Sequence, residues 1–378
     1  MRGTNSTSGF SRRKVFESIA LGGLAATAAL AESPDGDAPE SLPNFKYDLE
    51  AQTHWIGEGG SAKEATVAEF PISQSIAGVS MRLKAGAIRE LHWHSLAAEW
   101  AYMIEGRCRV TVLSPNGQAE AADFEVGDTW YFPRGHGHAL QGLTDCHFLL
   151  GFDNGHFSEF GTFSVTDWMA RTPPEILSRN LGMPVSTLNR LPKKELYIGP
   201  GKVPPPIASL RNGNPQLSQF SHKYRLQAAQ PLVFAGGEER IASSVEFPIQ
   251  TTLTAVLMDL KPGALREMHW HPHADEWQYY VRGRARVGIF GSHGRARTEE
   301  FQKGHVAFIP QGFGHYVEQV GSEPTQILIL FNSGVFQEIS LAAWLGANPA
   351  SLLQDNFGMP QSAVEQLPVK SKGIIGAA

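Results

Sequence analysis

The stretch Gly86-Ala-Ile-Arg-Glu-Leu-His92-Trp-His94-Ser-Leu-Ala-Ala-Glu99 returns as Gly263-Ala-Leu-Arg-Glu-Met-His269-Trp-His271-Pro-His-Ala-Asp-Glu276, 177 positions later. A chain that repeats itself at this distance folds as two copies of one unit. On a β-strand, a His-x-His pair sends both imidazoles to one face and the Trp between them to the other. Such a pair resembles half of a metal site. The 378 residues suffice for two domains with well-buried cores. The 39 Gly and 24 Pro, without a collagen-like period, point to many short strands and turns.

The repeat extends well beyond the His-Trp-His stretch. Phe70-Pro71-Ile72 matches Phe247-Pro248-Ile249, and Gly127, Pro133, Gly135 and His138 match Gly304, Pro310, Gly312 and His315. Trp100–Ile104, Arg109–Leu113 and Thr129–Phe132 alternate as antiparallel strands, with turn residues at Ser114–Gly117 and Gly127-Asp128. Helix-like spacing then takes over at 165–169, 174–180 and 185–191, and again at 341–345, 349–356 and 361–367. Each unit is therefore expected to be a strand-rich barrel with a short helical appendix. The first would span 51–198 and the second 226–378, joined by a Pro/Gly-rich linker at 199–225 that contains Pro204-Pro205-Pro206.

The N-terminal 31 residues carry Arg12-Arg13-Lys14, an apolar Ala/Gly/Leu-rich run and Ala29-Leu30-Ala31, the layout of a twin-arginine-type signal peptide. The expectation is an exported protein, periplasmic or extracellular, with no membrane insertion once the signal is removed. Residues 32–50 read as a polar, Pro-rich leader that is either disordered or wraps the domains. A net charge of −5 gives no basic surface for nucleic acid. Cys108 and Cys146 lie in apolar strand-like runs and read as buried thiols.

Counting along both copies exposes a difference. From Phe152 to Trp168 there are 16 positions, but from Phe331 to Trp344 only 13. The first copy thus holds three extra residues around Ser158-Glu159-Phe160-Gly161-Thr162. An insertion with an acid and a Gly in a connecting loop is the form a functional loop takes.

The pattern G-x5-H-x-H-x4-E-x6-G followed by G-x5-P-x-G-x2-H, present in both copies, is that of cupins, and the chain resembles a bicupin: mainly all-β, with two jelly-roll barrels in tandem. The resemblance implies one metal held by His92, His94, Glu99 and His138 and a second by His269, His271, Glu276 and His315. Three neutral imidazoles and one carboxylate leave two open positions on an octahedral ion, which suits Mn²⁺ or Fe²⁺ better than closed, four-ligand Zn²⁺.

Within cupins the chain is most similar to bicupin oxalate decarboxylases, through Ala87–His94, Glu99–Ile104, Trp130-Tyr-Phe-Pro133 and Thr166-Asp167-Trp168. That family converts oxalate to formate and CO₂ with two Mn²⁺ per chain and O₂ as co-catalyst, and its members are homo-oligomers, commonly hexamers. Its lid over the first metal reads Ser-Glu-Asn-Ser-Thr. The matching positions are Ser158, Glu159, Phe160, Gly161 and Thr162, so Ser, Glu and Thr are kept and the middle pair is changed.

The resemblance makes Glu159 the proton-transfer residue, Arg89 the oxalate clamp and Arg266 its counterpart in the second copy. The closed lid would keep the reacting radical from escaping as oxidised product. The second site's usual carboxylate position falls on Ile329, which leaves Arg266 without a partner at that place. Trp93 and Trp270 resemble tryptophans discussed as electron relays, with simple packing as the alternative. Two other functions stay open: an oxalate oxidase giving CO₂ and H₂O₂, and a non-catalytic metal-binding bicupin.

Overall fold

The structure is a computed structural model that describes residues 42–53, 55–213, 217–218 and 221–377. The expected signal segment 1–31 and leader residues 32–41 lie outside the described residues.

Each copy folds as two sheets closed over an apolar interior. In the first copy one sheet orders Thr129–Phe132, Glu99–Glu105, Cys146–Phe152, Ala77–Leu83 and Gly60–Ala65. The facing sheet orders Phe163–Ser164, Ile88–Trp93, Gly137–Gly142, Arg107–Leu113 and Ala119–Glu125. The second copy repeats both sheets, with Glu276–Arg282 and Leu265–Trp270 as the counterparts of Glu99–Glu105 and Ile88–Trp93. The tandem cupin barrels read from the sequence are what the chain forms. Cys108 and Cys146 are buried and unpaired.

The strand Glu99–Glu105 shows how the period of two builds two cores at once. Ala101 and Met103 point into the first barrel, whereas Trp100 and Tyr102 point out of it. Those outward aromatics meet Trp277, Tyr279 and Leu328 of the second barrel in a shared core between the barrels. Each large apolar side chain buried there contributes about 1.5–3 kcal/mol. The approach is close: a Cβ on Gly78 would stand 2.2 Å from Trp277, and one on Gly151 2.2 Å from Leu330.

The two copies also exchange strands. Lys46–Asp48 pairs antiparallel with His305–Ile309 in the second barrel, and Lys223–Tyr224 pairs with Thr129–Phe132 in the first. Lys46-Tyr47 and Lys223-Tyr224 are themselves 177 apart, so each copy lends its opening strand to the other. Leu42 and Phe45 are accordingly buried in the core of the second barrel. Of the two readings of 32–50, wrapping is the one its described end follows, and the few apolar anchors there do not tell which barrel receives it. The linker likewise holds a helix, Ile207–Gly213, besides its lent strand.

The appendices are three short helices each: Val165–Arg171, Pro174–Leu181 and Val185–Leu188, then Leu341–Gly346, Ala350–Phe357 and Gln361–Val364. Ser164 and Ser340 cap the first helix of each set by accepting from the backbone N–H of Asp167 and Ala343. Gly182 and Gly358 end the second helix of each set in the left-handed region, at φ 67° and 66°, which favours glycine. No helix among the described residues is long and apolar enough to cross a membrane.

Candidate active site

A β-bulge sets the geometry of the site. His92 stands opposite His138 and Arg89 opposite Leu140, so three steps on one strand match two on the other. Strict alternation would place Arg89, three residues from His92, on the opposite face. The bulge turns both inward, burying Arg89 and Glu90 and leaving Leu91 outside. The second copy repeats the bulge between Arg266 and His269. Below it, Glu90 accepts hydrogen bonds from Ser164 Oγ and the N–H groups of Leu196 and Tyr197, which fastens both ends of the appendix to the strand.

The eight expected ligands gather into two groups of four, with the ligand atoms of each group within 4.8 Å of one another. In the first, the Nδ1–H groups of His92 and His138 donate to the carbonyls of Glu90 (2.6 Å) and His136 (2.9 Å). Their Nε2 atoms thus face the centre, buried and without a hydrogen-bond partner. Trp130 Nε1–H donates to Glu99 Oε1 at 2.7 Å, which leaves Oε2 to face His94 Nε2 at 2.8 Å and His138 Nε2 at 3.2 Å.

In the second group all three imidazoles are oriented this way. The Nδ1–H groups of His269, His271 and His315 donate to the carbonyls of Glu267, Gln337 and Phe313. Gln278 Nε2–H donates to Glu276 Oε1 at 2.7 Å, which leaves Oε2 to face His271 Nε2 and His315 Nε2, each at 3.0 Å. The donors to the two ligand carboxylates come from opposite strands of the same ladder. Ala101 faces Trp130 in the first barrel, and Gln278 faces Ala307 in the second.

Orphaned, buried lone pairs converging on one point fit a cation and little else. The electrostatics agree. Burial and then the neighbouring Arg89 push His92 well below its ordinary pKa, and burial and Arg266 do the same to His269. Burial acts to raise Glu99 and Glu276, yet their imidazole neighbours hold both low. Neutral His92 and His269 beside ionised carboxylates are the forms a divalent ion needs, whereas the Glu276 carboxylate raises His271 against its burial.

The loop 158–162 lies over the first group. Glu159–Gly161 is a single 3₁₀ turn whose N-cap Ser158 accepts from Phe160 N–H. Glu159 is 1% exposed. Arg89, fully buried, donates from Nε (2.8 Å) and Nη2 (2.7 Å) to Glu159 Oε1, and from Nη2 to Thr162 Oγ1 at 3.0 Å. Glu159 Oε2 has no hydrogen-bond partner and stands 3.8 Å from His94 Nε2. All the residues named for the first site therefore meet at one place. Phe160, 43% exposed, turns outward with Gly161 and lies against the Tyr197 ring at 5.4 Å.

The second site differs from its expectation. Arg266 is not left without a carboxylate, because Nε donates to Glu239 Oε1 at 2.9 Å and Nη2 is paired with Glu338. Glu239 comes from the strand Gly237–Ala242, where the first copy has Ala62, so a search confined to the late strand of Ile329 missed it. Trp93 packs against Phe163 and Trp168, and Trp270 against Trp344, on the outer faces of the barrels. Sequence reasoning assigned no role in the site to Glu64, Trp130 or Tyr197. The signal for Glu64 and Tyr197 was the contrast with Ile241 and Gly373 in the other copy.

Comparison with known proteins gives the same picture. The cupin family model matches residues 48–188 and 225–365. The chain is 40% identical over 340 residues to the oxalate decarboxylase OxdC of Bacillus subtilis, covering 89% of this chain and 87% of that protein. The oxalate decarboxylase of Lactobacillus farciminis, solved as a formate complex, superposes with a TM-score of 0.83 at 41% identity, covering 87% of this chain and 97% of that one. A Bacillus subtilis oxalate decarboxylase structure used to assign its Mn(II) centres superposes at 0.85 with 36% identity, covering 100% and 98%.

Proposed function

The chain belongs to the bicupin oxalate decarboxylase family, and from that premise we propose that it splits oxalate into formate and CO₂ at the first metal group, with Arg89 as clamp and Glu159 as proton carrier. Its cofactors are Mn²⁺, one at each His₃Glu group, and O₂ as co-catalyst. Manganese with dioxygen supplies reversible one-electron chemistry to the bound substrate.

The chain's own residues do the rest. The Arg89 guanidinium offers a planar fork to a carboxylate and carries the charge that draws the anion in. Glu159 Oε2 takes the proton of hydrogen oxalate as the C–C bond gives way and CO₂ departs. The same oxygen returns that proton to the carbon left behind, so hydrogen oxalate becomes formate and CO₂ with atoms and charge conserved. The closed loop excludes water from this exchange.

One observation carries the reading. Glu159 is held by Arg89 through one oxygen while the other stands unpartnered at the metal group. The test is Glu159→Ala, with formate and peroxide measured on oxalate under air and under argon and metal content measured beside them. The expected result is loss of formate production with both metals bound. Formate production at the normal rate would remove Glu159 from the chemistry.

We further propose export through the N-terminal twin-arginine-type segment and assembly into a homo-oligomer. Support for assembly comes from apolar side chains exposed on the outer faces of both barrels: Leu91, Phe163 and Trp168 in one, Met268, Ile339 and Trp344 in the other. Secretion of a reporter fused to residues 1–31, abolished by Arg12→Lys with Arg13→Lys, tests the first. Light scattering of the purified protein tests the second.

A further inference from the structure

The loop over the first metal group rests on two residues that the second copy lacks. Glu64, on the strand Gly60–Ala65, accepts from Ser158 Oγ at 2.9 and 3.1 Å and from Glu159 N–H at 3.1 Å. Its position in the other copy is Ile241, which offers no acceptor. Tyr197 lies with its ring 4.2 Å from the Arg89 guanidinium and 5.4 Å from the Phe160 ring. It adopts φ 53°, a conformation L side chains rarely take. The equivalent position, 176 further on, is Gly373 at φ 58°, where the same backbone is free of that strain. The first copy thus keeps a bulky ring where its twin uses glycine, and backbone strain kept in this way marks a site with a task.

We propose that Glu64 and Tyr197 form the seat that holds the loop 158–162 closed, and that this seat sets how oxalate is divided between decarboxylation and oxidation. The inference rests on the reading of Glu159 as proton carrier. Glu64 fixes the start of the loop, so that the Glu159 carboxylate enters the site from a pinned backbone. Tyr197 fixes the other end of the contact, through its π-face on Arg89 and its tilted contact with the Phe160 ring. Family lids carry Asn-Ser where this loop has Phe160-Gly161, so the ring contact stands in for hydrogen bonds those residues can make. Burial, against the hydrogen bonds from Ser158 and Glu159 N–H, raises Glu64 to about 7, and the nearby carboxylates of Glu69 and Glu159 add to this.

The two outcomes differ in where electrons go. With the loop seated, hydrogen oxalate gives formate and CO₂, with no net oxidation. With it unseated, oxalate yields two electrons to dioxygen, which takes two protons to become H₂O₂ while both carbons leave as CO₂. Glu64 and Tyr197 are positioning residues in this scheme, since neither touches the reacting atoms.

The test compares Glu64→Ala, Glu64→Gln, Tyr197→Leu and Tyr197→Phe in the full-length, metal-loaded protein. Two quantities are read: the ratio of peroxide to formate on oxalate under air, and hydrogen–deuterium exchange of the amides at 158–162. Glu64→Ala and Tyr197→Leu are expected to raise both by tenfold or more with metal content unchanged. Glu64→Gln, which keeps an acceptor, and Tyr197→Phe, which keeps the ring, should lie near the parent protein. Either quantity unmoved in a folded, metal-replete Glu64→Ala overturns the proposal. Failure of the Glu159 reading is separable, because it shows as formate production by Glu159→Ala, whereas amide exchange at the loop needs no turnover.

Discussion

Arg89 joins three parts of the chain that lie far apart in sequence: its own strand, the loop at Glu159 and Thr162, and the turn at Tyr197. Lysine can reach one of these partners but cannot fork between them or lie flat on a ring. Arg89→Lys is therefore expected to lower kcat/KM on oxalate by roughly a hundredfold, about 3 kcal/mol of transition-state stabilisation. Steady-state kinetics check this, and an unchanged value takes Arg89 out of the site. Trp130 acts one step behind a ligand, holding Glu99 Oε1 so that Oε2 faces the imidazoles. Trp130→Phe keeps the packing and removes the donor, so manganese affinity at the first group should fall roughly 10–100-fold while the second group keeps its metal. Competitive metal titration reads this directly. The ligands themselves were legible in the sequence because they recur at one spacing. Glu64, Trp130 and Tyr197 were not, because what marks each of them is a difference between the copies, and a repeat search rewards only agreement.

At the scale of elements, strands and appendix helices follow from simple patterns, and these held to within a residue or two at most ends. The last helix of each set is shorter than its spacing suggested, one turn in place of the expected seven residues. Helix-like spacing continues beyond it, but Pro192 and Pro368 follow within a few residues and cannot extend the ladder. The bulge before His92 had no sequence signal. Period-two reading sends Arg89 outward, and only the ladder register shows that one residue is absorbed. Ser164 links helix and strand, since it caps Val165–Arg171 and donates to Glu90 at 3.0 Å. Removing both roles with Ser164→Ala should cost about 1–2 kcal/mol and lower Tm by a few degrees. Thermal melting by circular dichroism measures it, and an unshifted melt shows that neither bond stabilises the fold.

The whole molecule is two barrels that share a core and exchange their first strands. The tandem arrangement was plain from the repeat, whereas the exchange was not, because the pairings Lys46 with Ala307 and Lys223 with Trp130 are too distant in sequence to leave a local trace. Phe45 tests its weight. It belongs to the N-terminal end of the chain, yet it is fully buried in the second barrel against Phe301. Phe45→Ala should destabilise the protein by about 3–5 kcal/mol. Urea unfolding followed by tryptophan fluorescence gives the value, and a loss under 1 kcal/mol would mean that the lent strand is held by its backbone pairing alone.

The exchange also puts the molecule on a clock. Residues 46–48 leave the ribosome early, but their partner strand, 305–309, is made roughly 250 residues later. At about 5–20 residues per second the opening strand waits on the order of 10–50 s for its place. Through that interval its apolar neighbours Leu42 and Phe45 have no barrel to enter, and the second barrel cannot complete its sheet until the beginning of the chain is brought back to it. The lent strand cannot dock before residues 305–309 are made, so a docked N-terminal strand reports that translation has passed its partner strand in the second barrel.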